Sequence, residues 1–180
     1  LSQRAQKVLG DLGFSPPLQR CDRVEPLLDA AHAAWSGAGV PLTAGAGGPD
    51  GAGSPPLIHV ATRHALTLLP AGALRFRHRV QGGASGTFGG TMQFVARETG
   101  RTEIFVDRRA WIDVVRVADQ VSIAAMRGDR WLGCAGVGKN LGFVLQAGER
   151  YELRLSEIDN TQAAILIMPI ADARLAKPVQ

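Results

Sequence analysis

Four sets of residues in this 180-residue chain have types and spacings that could do chemistry. The first is Gly133-Cys-Ala-Gly-Val-Gly138-Lys139-Asn140, which follows the phosphate-loop order of a glycine, four residues and Gly-Lys. Such a loop also needs a Ser or Thr hydroxyl for Mg²⁺ at the next position. It needs a strand before it, and a helix after it whose N-terminus receives the phosphate. Asn140 stands at the hydroxyl position, and 141–156 alternates apolar and polar residues as a β-hairpin does. Residue and context both fail, so a glycine-rich connection between strands is expected here, and no nucleotide.

The second set is histidine. His59 and His64 are five apart, an odd separation that puts them on opposite faces of one continuous strand. His64 and His78 each share a face with apolar neighbours and would meet across two adjacent strands. Asp107 or Asp113 would then be the third ligand of a zinc or copper site. A half-buried histidine with a backbone partner is the commoner arrangement, so no metal and no other cofactor is expected. The third set is Arg75, Arg77 and Arg79, which alternate with Leu74, Phe76 and His78 and would project from one sheet face. Such a row grips sulfate, phosphate or carboxylate groups; its alternative is a solvated face that guards an edge. No aromatic residues interleave to stack bases, so nucleic acid is not an expected partner.

The fourth set lies in Asp107-Arg-Arg-Ala-Trp-Ile-Asp113. Two carboxylates could serve as general acid and base of a glycosidase, provided the fold sets their separation. The competing reading makes Asp107-Arg108-Arg109 a turn and puts Trp111 in the core. No Gly-x-Ser-x-Gly elbow is present, and Ser156-Glu157 has no histidine nearby in sequence.

The elements that must position these residues fall into zones. Residues 1–38 read as a helical arm: Val24, Leu27, Leu28, Ala31 and Trp35 lie on one face of a helix over 22–35, after Phe14-Ser-Pro-Pro17 breaks the chain. Residues 39–56 are dominated by Gly, Ala, Pro and Ser and read as a flexible linker. From 57 to 170, runs of strand character recur roughly every eight to twelve residues, with wider gaps before 87, 102 and 141, at 57–60, 64–69, 74–80, 87–96, 102–107, 111–117, 120–126, 141–146, 151–156 and 163–168. Gly, Pro, Asp or Asn turns separate them. That spacing leaves no room for βαβ crossovers and predicts a mainly β fold, an antiparallel sandwich or jelly roll with a short N-terminal helical arm. Residues 171–180 read as a tail.

Composition narrows the classes further. The net charge of +4 comes from 20 basic against 16 acidic residues, with Lys7, Lys139 and Lys177 the only lysines. That thin excess is weak support for a polyanion partner. No apolar run reaches the ~18 residues of a membrane span. Cys21 and Cys134, the two cysteines, have no CxxC neighbours and are either one long-range disulfide, the only intramolecular one open to an exported protein, or two unrelated thiols.

The stretch Phe143-Val-Leu-Gln-Ala-Gly-Glu-Arg-Tyr-Glu-Leu-Arg-Leu-Ser156, followed by Ala163-Ala-Ile-Leu-Ile-Met168, resembles the final strands of secreted bacterial β-sandwich modules of the pre-peptidase C-terminal type. There an apolar, Ala-Gly, x-x, Tyr turn leads into a last alternating strand. The resemblance implies an exported, non-catalytic module, periplasmic or secreted; the acidic calcium ligands of some members have no match. The expectation is therefore an exported interaction or accessory subunit with another protein as partner, its docking stripe formed by Val24, Leu27, Leu28 and Trp35. The alternatives are a binder of an anionic glycan or lipid headgroup through Arg75, Arg77 and Arg79, and a metal-dependent or carboxylate-based hydrolase.

Overall fold

The computed structural model describes residues 29–47, 54–76, 86–128 and 136–170. Among them lie one helix, α1 (Asp29–Trp35), and eleven strands. In chain order these are β1 (Val40–Thr43), β2 (Arg63–Thr67), β3 (Leu69–Pro70), β4 (Phe88–Val95), β5 (Gly100–Val106) and β6 (Trp111–Arg116). β7 (Ser122–Ile123), β8 (Arg127–Gly128), β9 (Lys139–Leu145), β10 (Arg150–Ile158) and β11 (Gln162–Pro169) complete them. One sheet has the order β1-β2-β11-β5-β9-β8 and the other β3-β4-β10-β6-β7. All ladders are antiparallel except β1 on β2. Leaving aside β1, β3 and β8, the remaining strands counted from β2 run 1-8-3-6 in one sheet and 2-7-4-5 in the other. That is the double wrap of a jelly roll, as the strand spacing predicts.

The two sheets face each other through alternate residues. Ile104, Val106, Phe143, Leu145, Ile165 and Ile167 come from the first sheet. Met92, Phe94, Ile112, Val114, Leu153 and Leu155 come from the second, and each of these twelve is at most 5% exposed. Burying each large side chain is worth about 1.5–3 kcal/mol, which makes this layer the main source of stability. Phe94 and Tyr151 stack at 5.7 Å within it.

A second, smaller cluster lies on the outer face of the first sheet. Ala31 and Trp35 of α1 pack there on Phe105, Ala164, Leu166 and Ile170. Seven residues are too few for a free-standing helix, so these contacts hold α1. The Trp35 ring lies 6.4 Å from Phe105, under the Arg63 guanidinium at 5.2 Å. Arg63 also donates to the Gly37 carbonyl at 2.9 Å. Because β5 and β11 are covered on both faces, Ile104-Phe105-Val106 and 163–167 are continuously apolar rather than alternating.

Three expectations change. Part of the supposed linker is ordered: β1 pairs with β2 from Val40↔His64 to Thr43↔Thr67. The chain beyond it then bonds to β4, through Gly45↔Thr91 and Leu57↔Gln93. Backbone pairing supplies there what the glycine-rich side chains cannot. The strand expected over 74–80 is not formed in its described portion. Residues 74–76 follow a 3-10 turn at Ala71–Ala73, and the Arg75 N–H donates to Ala46 O at 2.9 Å. Of the strand expected over 120–126, only Ser122–Ile123 forms a strand. The outermost strand at each sheet edge among the described residues is short or carries a proline: Pro41 in β1, Pro70 in β3, and two residues each in β7 and β8.

Candidate ligand cleft

The two sheets are joined unequally at their sides. On the β2/β4 side the segment from Ala44 to Ile58 bonds across both sheets: Ala44 N–H to Thr67 O, Gly45 N–H to Thr91 O and Ile58 N–H to Gln93 O, all at 2.8–2.9 Å. On the β6/β9 side, β7 reaches only Val114 and Val115, so its ladder stops short of Trp111, Ile112 and Asp113. A cleft of about 400 Å³ opens there, lined by those three residues, by Lys139, Leu141 and Phe143 of β9, and by Ile123 and the exposed Ala124 and Ala125. Its volume falls within the range of small-molecule sites.

The polar groups of the cleft form a chain. Asp113 Oδ2 accepts the Trp111 indole N–H at 3.0 Å, which fixes the ring. The Lys139 ammonium sits 5.6 Å from the centre of that ring and donates to Ala110 O at 2.8 Å. Ring and carbonyl together hold the cation at the cleft, and no carboxylate among the described residues forms an ion pair with it. Ile112 and Phe143, 5% and 1% exposed, form an apolar floor.

The motif that resembled a phosphate loop has other duties. A Cβ on Gly138 would come within 2.3 Å of Arg108 Cα, so the glycine is there for close backbone approach, with its N–H on Val106 O at 2.8 Å. Lys139 begins β9, and the strand that follows excludes the helix a phosphate loop requires. Asn140 Nδ2 donates to Glu103 Oε2 at 3.1 Å, while Arg101 Nε donates to Oε1 at 2.7 Å. Glu103 is 1% exposed, and a side chain at Gly142 would collide with its carboxylate. This buried ion pair is structural.

His59 and His64 are brought together rather than apart. The chain turns at Ala61 (φ 59°), so the two rings stack at 6.3 Å and the His59 backbone N–H donates to His64 Nε2 at 3.3 Å. His64 is 2% exposed on the apolar face, and burial pulls its pKa below the ordinary 6.5. An Nε2 engaged in this way leaves no lone pair for a metal. Among the described residues no group of three His, Cys, Asp or Glu is placed to hold one. His78 lies outside the described residues, as do Arg77, Arg79, Cys21, Cys134, Val24, Leu27 and Leu28.

Asp107 and Asp113 do not share a site. Asp107 is forked to Arg108 at 3.1 and 3.2 Å and lines a separate hollow of about 380 Å³ with Pro41, Thr67 and Gln162. Arg75 is exposed and lies outside any strand, so it does not project from a sheet face. Trp35 is 4% exposed beneath its own domain, so it offers no free docking surface. Trp111 is half-buried at the cleft instead of in the core, because β6 runs past the end of β7. The sequence signal for the cleft was the face shared by Lys139, Leu141, Phe143 and Leu145, a cation closing an apolar row. No helix among the described residues is long and apolar enough to cross a membrane. Comparison with protein-family models, with curated proteins and with solved structures finds no match for this chain.

Proposed function

We propose that this chain is a non-catalytic jelly-roll binding module, working outside the cytoplasm as an accessory or interaction subunit, with the β6/β9 cleft as its recognition site. The observation that carries this reading is the fixed Lys139 ammonium beside an apolar cleft that the strand ladders leave open. Apolar lining with few, oriented polar groups is what small-ligand sites share. A two-carboxylate hydrolase is disfavoured, because Asp107 and Asp113 line different hollows and each is engaged with a neighbour. The export setting follows from the resemblance in 143–168, where the Tyr151 hydroxyl accepts the Gln146 N–H at 3.0 Å and closes the Ala-Gly turn.

The test is a thermal-shift screen of small molecules on the wild-type chain and on Ile123→Trp, whose larger ring fills the cleft. Ligands that raise the melting temperature of the wild type alone support the site. Hits that stabilise both proteins equally place binding elsewhere, and substrate turnover lost in Asp113→Asn would establish an enzyme.

A further inference from the structure

Building on the cleft as the recognition site, we infer that its ligand is a carboxylate carried on a short apolar chain. Three observations converge. Lys139 has one donor on Ala110 O and its cation over Trp111, which leaves donors for a ligand oxygen, and no described carboxylate forms a direct ion pair with it. Directly beyond it along β9, Leu141 and Phe143 continue the same face into the sandwich, met by Ile112 and Ile123 from the other sheet. A head group at Lys139 therefore has an apolar floor beside it, and an apolar tail gains about 0.8 kcal/mol per buried methylene.

The third observation is the cost of Asp113. A second charge of the wrong sign would weaken an anion site, but this carboxylate is turned to the Trp111 indole N–H. Asp113 is a positioning residue: it orients the ring that holds the ammonium. A neutral sugar would leave the apolar floor in contact with hydroxyls, and a cation would meet Lys139 itself. An anionic head with an apolar body satisfies both parts of the cleft.

Two sources supply that chemistry, a fatty acyl chain and the C-terminus of a peptide with an apolar last residue. Calorimetric titration of the full chain with octanoate and octanol, and with N-acetylleucine and N-acetylleucinamide, separates them. The charged member of one pair is expected to bind about tenfold tighter than its neutral counterpart, the value of one charge-assisted hydrogen bond. The pair that shows this preference names the source. Lys139→Met should abolish the preference while Lys139→Arg keeps it, with melting temperatures confirming that both variants are folded. Asp113→Asn, which keeps an acceptor for Trp111, should bind the carboxylate more tightly. Equal binding of charged and neutral members would overturn the anion inference and leave the cleft standing. The absence of saturable binding by any of the four would overturn both.

Discussion

Replacing Trp35 by alanine tests whether the N-terminal helix is part of the fold or an arm available to a partner. The ring is 4% exposed, in contact with Phe105 and roofed by Arg63. A tryptophan buries about 200 Å², which at ~25 cal/mol per Å² amounts to about 5 kcal/mol of transfer free energy. Measured truncations of this kind cost about 3–5 kcal/mol. Against a net stability of about 5–15 kcal/mol for an ordinary domain, that loss would be conspicuous in urea denaturation followed by far-ultraviolet circular dichroism. The midpoint should fall sharply. If α1 detaches from the folded variant, the slope should also shrink, because Phe105, Ala164 and Leu166 are then exposed before unfolding. Trp35→Phe, which keeps an aromatic ring over Phe105, should recover much of the loss. A loss below about 1 kcal/mol with unchanged slope would refute the reasoning and return Trp35 to the role of a free docking residue.

The other predictions follow from single contacts. Gly138→Ala places a methyl group against Arg108 backbone, which cannot swing away, and should cost about 1–3 kcal/mol of stability in the same assay. Glu103→Gln keeps an acceptor for Asn140 but removes the charge facing Arg101 and should cost about 1.5–3 kcal/mol. The lowered pKa of His64 means that the unfolded chain takes up a proton first as pH falls. The His64 contribution is therefore intact above about 6.5 and lost on acidification until the folded imidazole itself protonates. Its slope reaches at most about 1.4 kcal/mol per pH unit; denaturation of wild type and His64→Gln between pH 7.5 and 5 should show a difference that narrows toward acid.

The strands that carry their own side-chain pattern were legible in the sequence: Phe143 and Leu145, or Tyr151, Leu153 and Leu155, alternate because one face of each strand is buried. β1 was not legible, because Val40–Thr43 is held by pairing with His64 through Thr67 and its own residues are mostly exposed. The opposite error came at Leu74, Arg75 and Phe76, where alternation is present and no ladder forms. Local pattern says nothing of whether a neighbour strand is there. The same limit hid the cleft. Trp111 reads as core from its type, and only the early end of β7, a long-range fact, leaves it at an opening. Lys139 stands among glycines in the sequence, yet its setting comes from Trp111 and Ala110, which lie nearly thirty residues earlier in the chain.

The stitching of Gly45 and Ile58 to β4, set against the open flank at Trp111, gives this sandwich a spine and a fore-edge. Thermal breathing should then be lopsided, pivoting about the stitched side, with the widest excursions expected at the two-residue strands β7 and β8. Amide protons there should exchange first and those of Thr91 and Gln93 late, since the latter are locked by the crossing segment. A ligand seated in the fore-edge would act as a wedge that stops the motion, so occupancy would be felt as rigidity along β7 and β8 rather than as a change of shape.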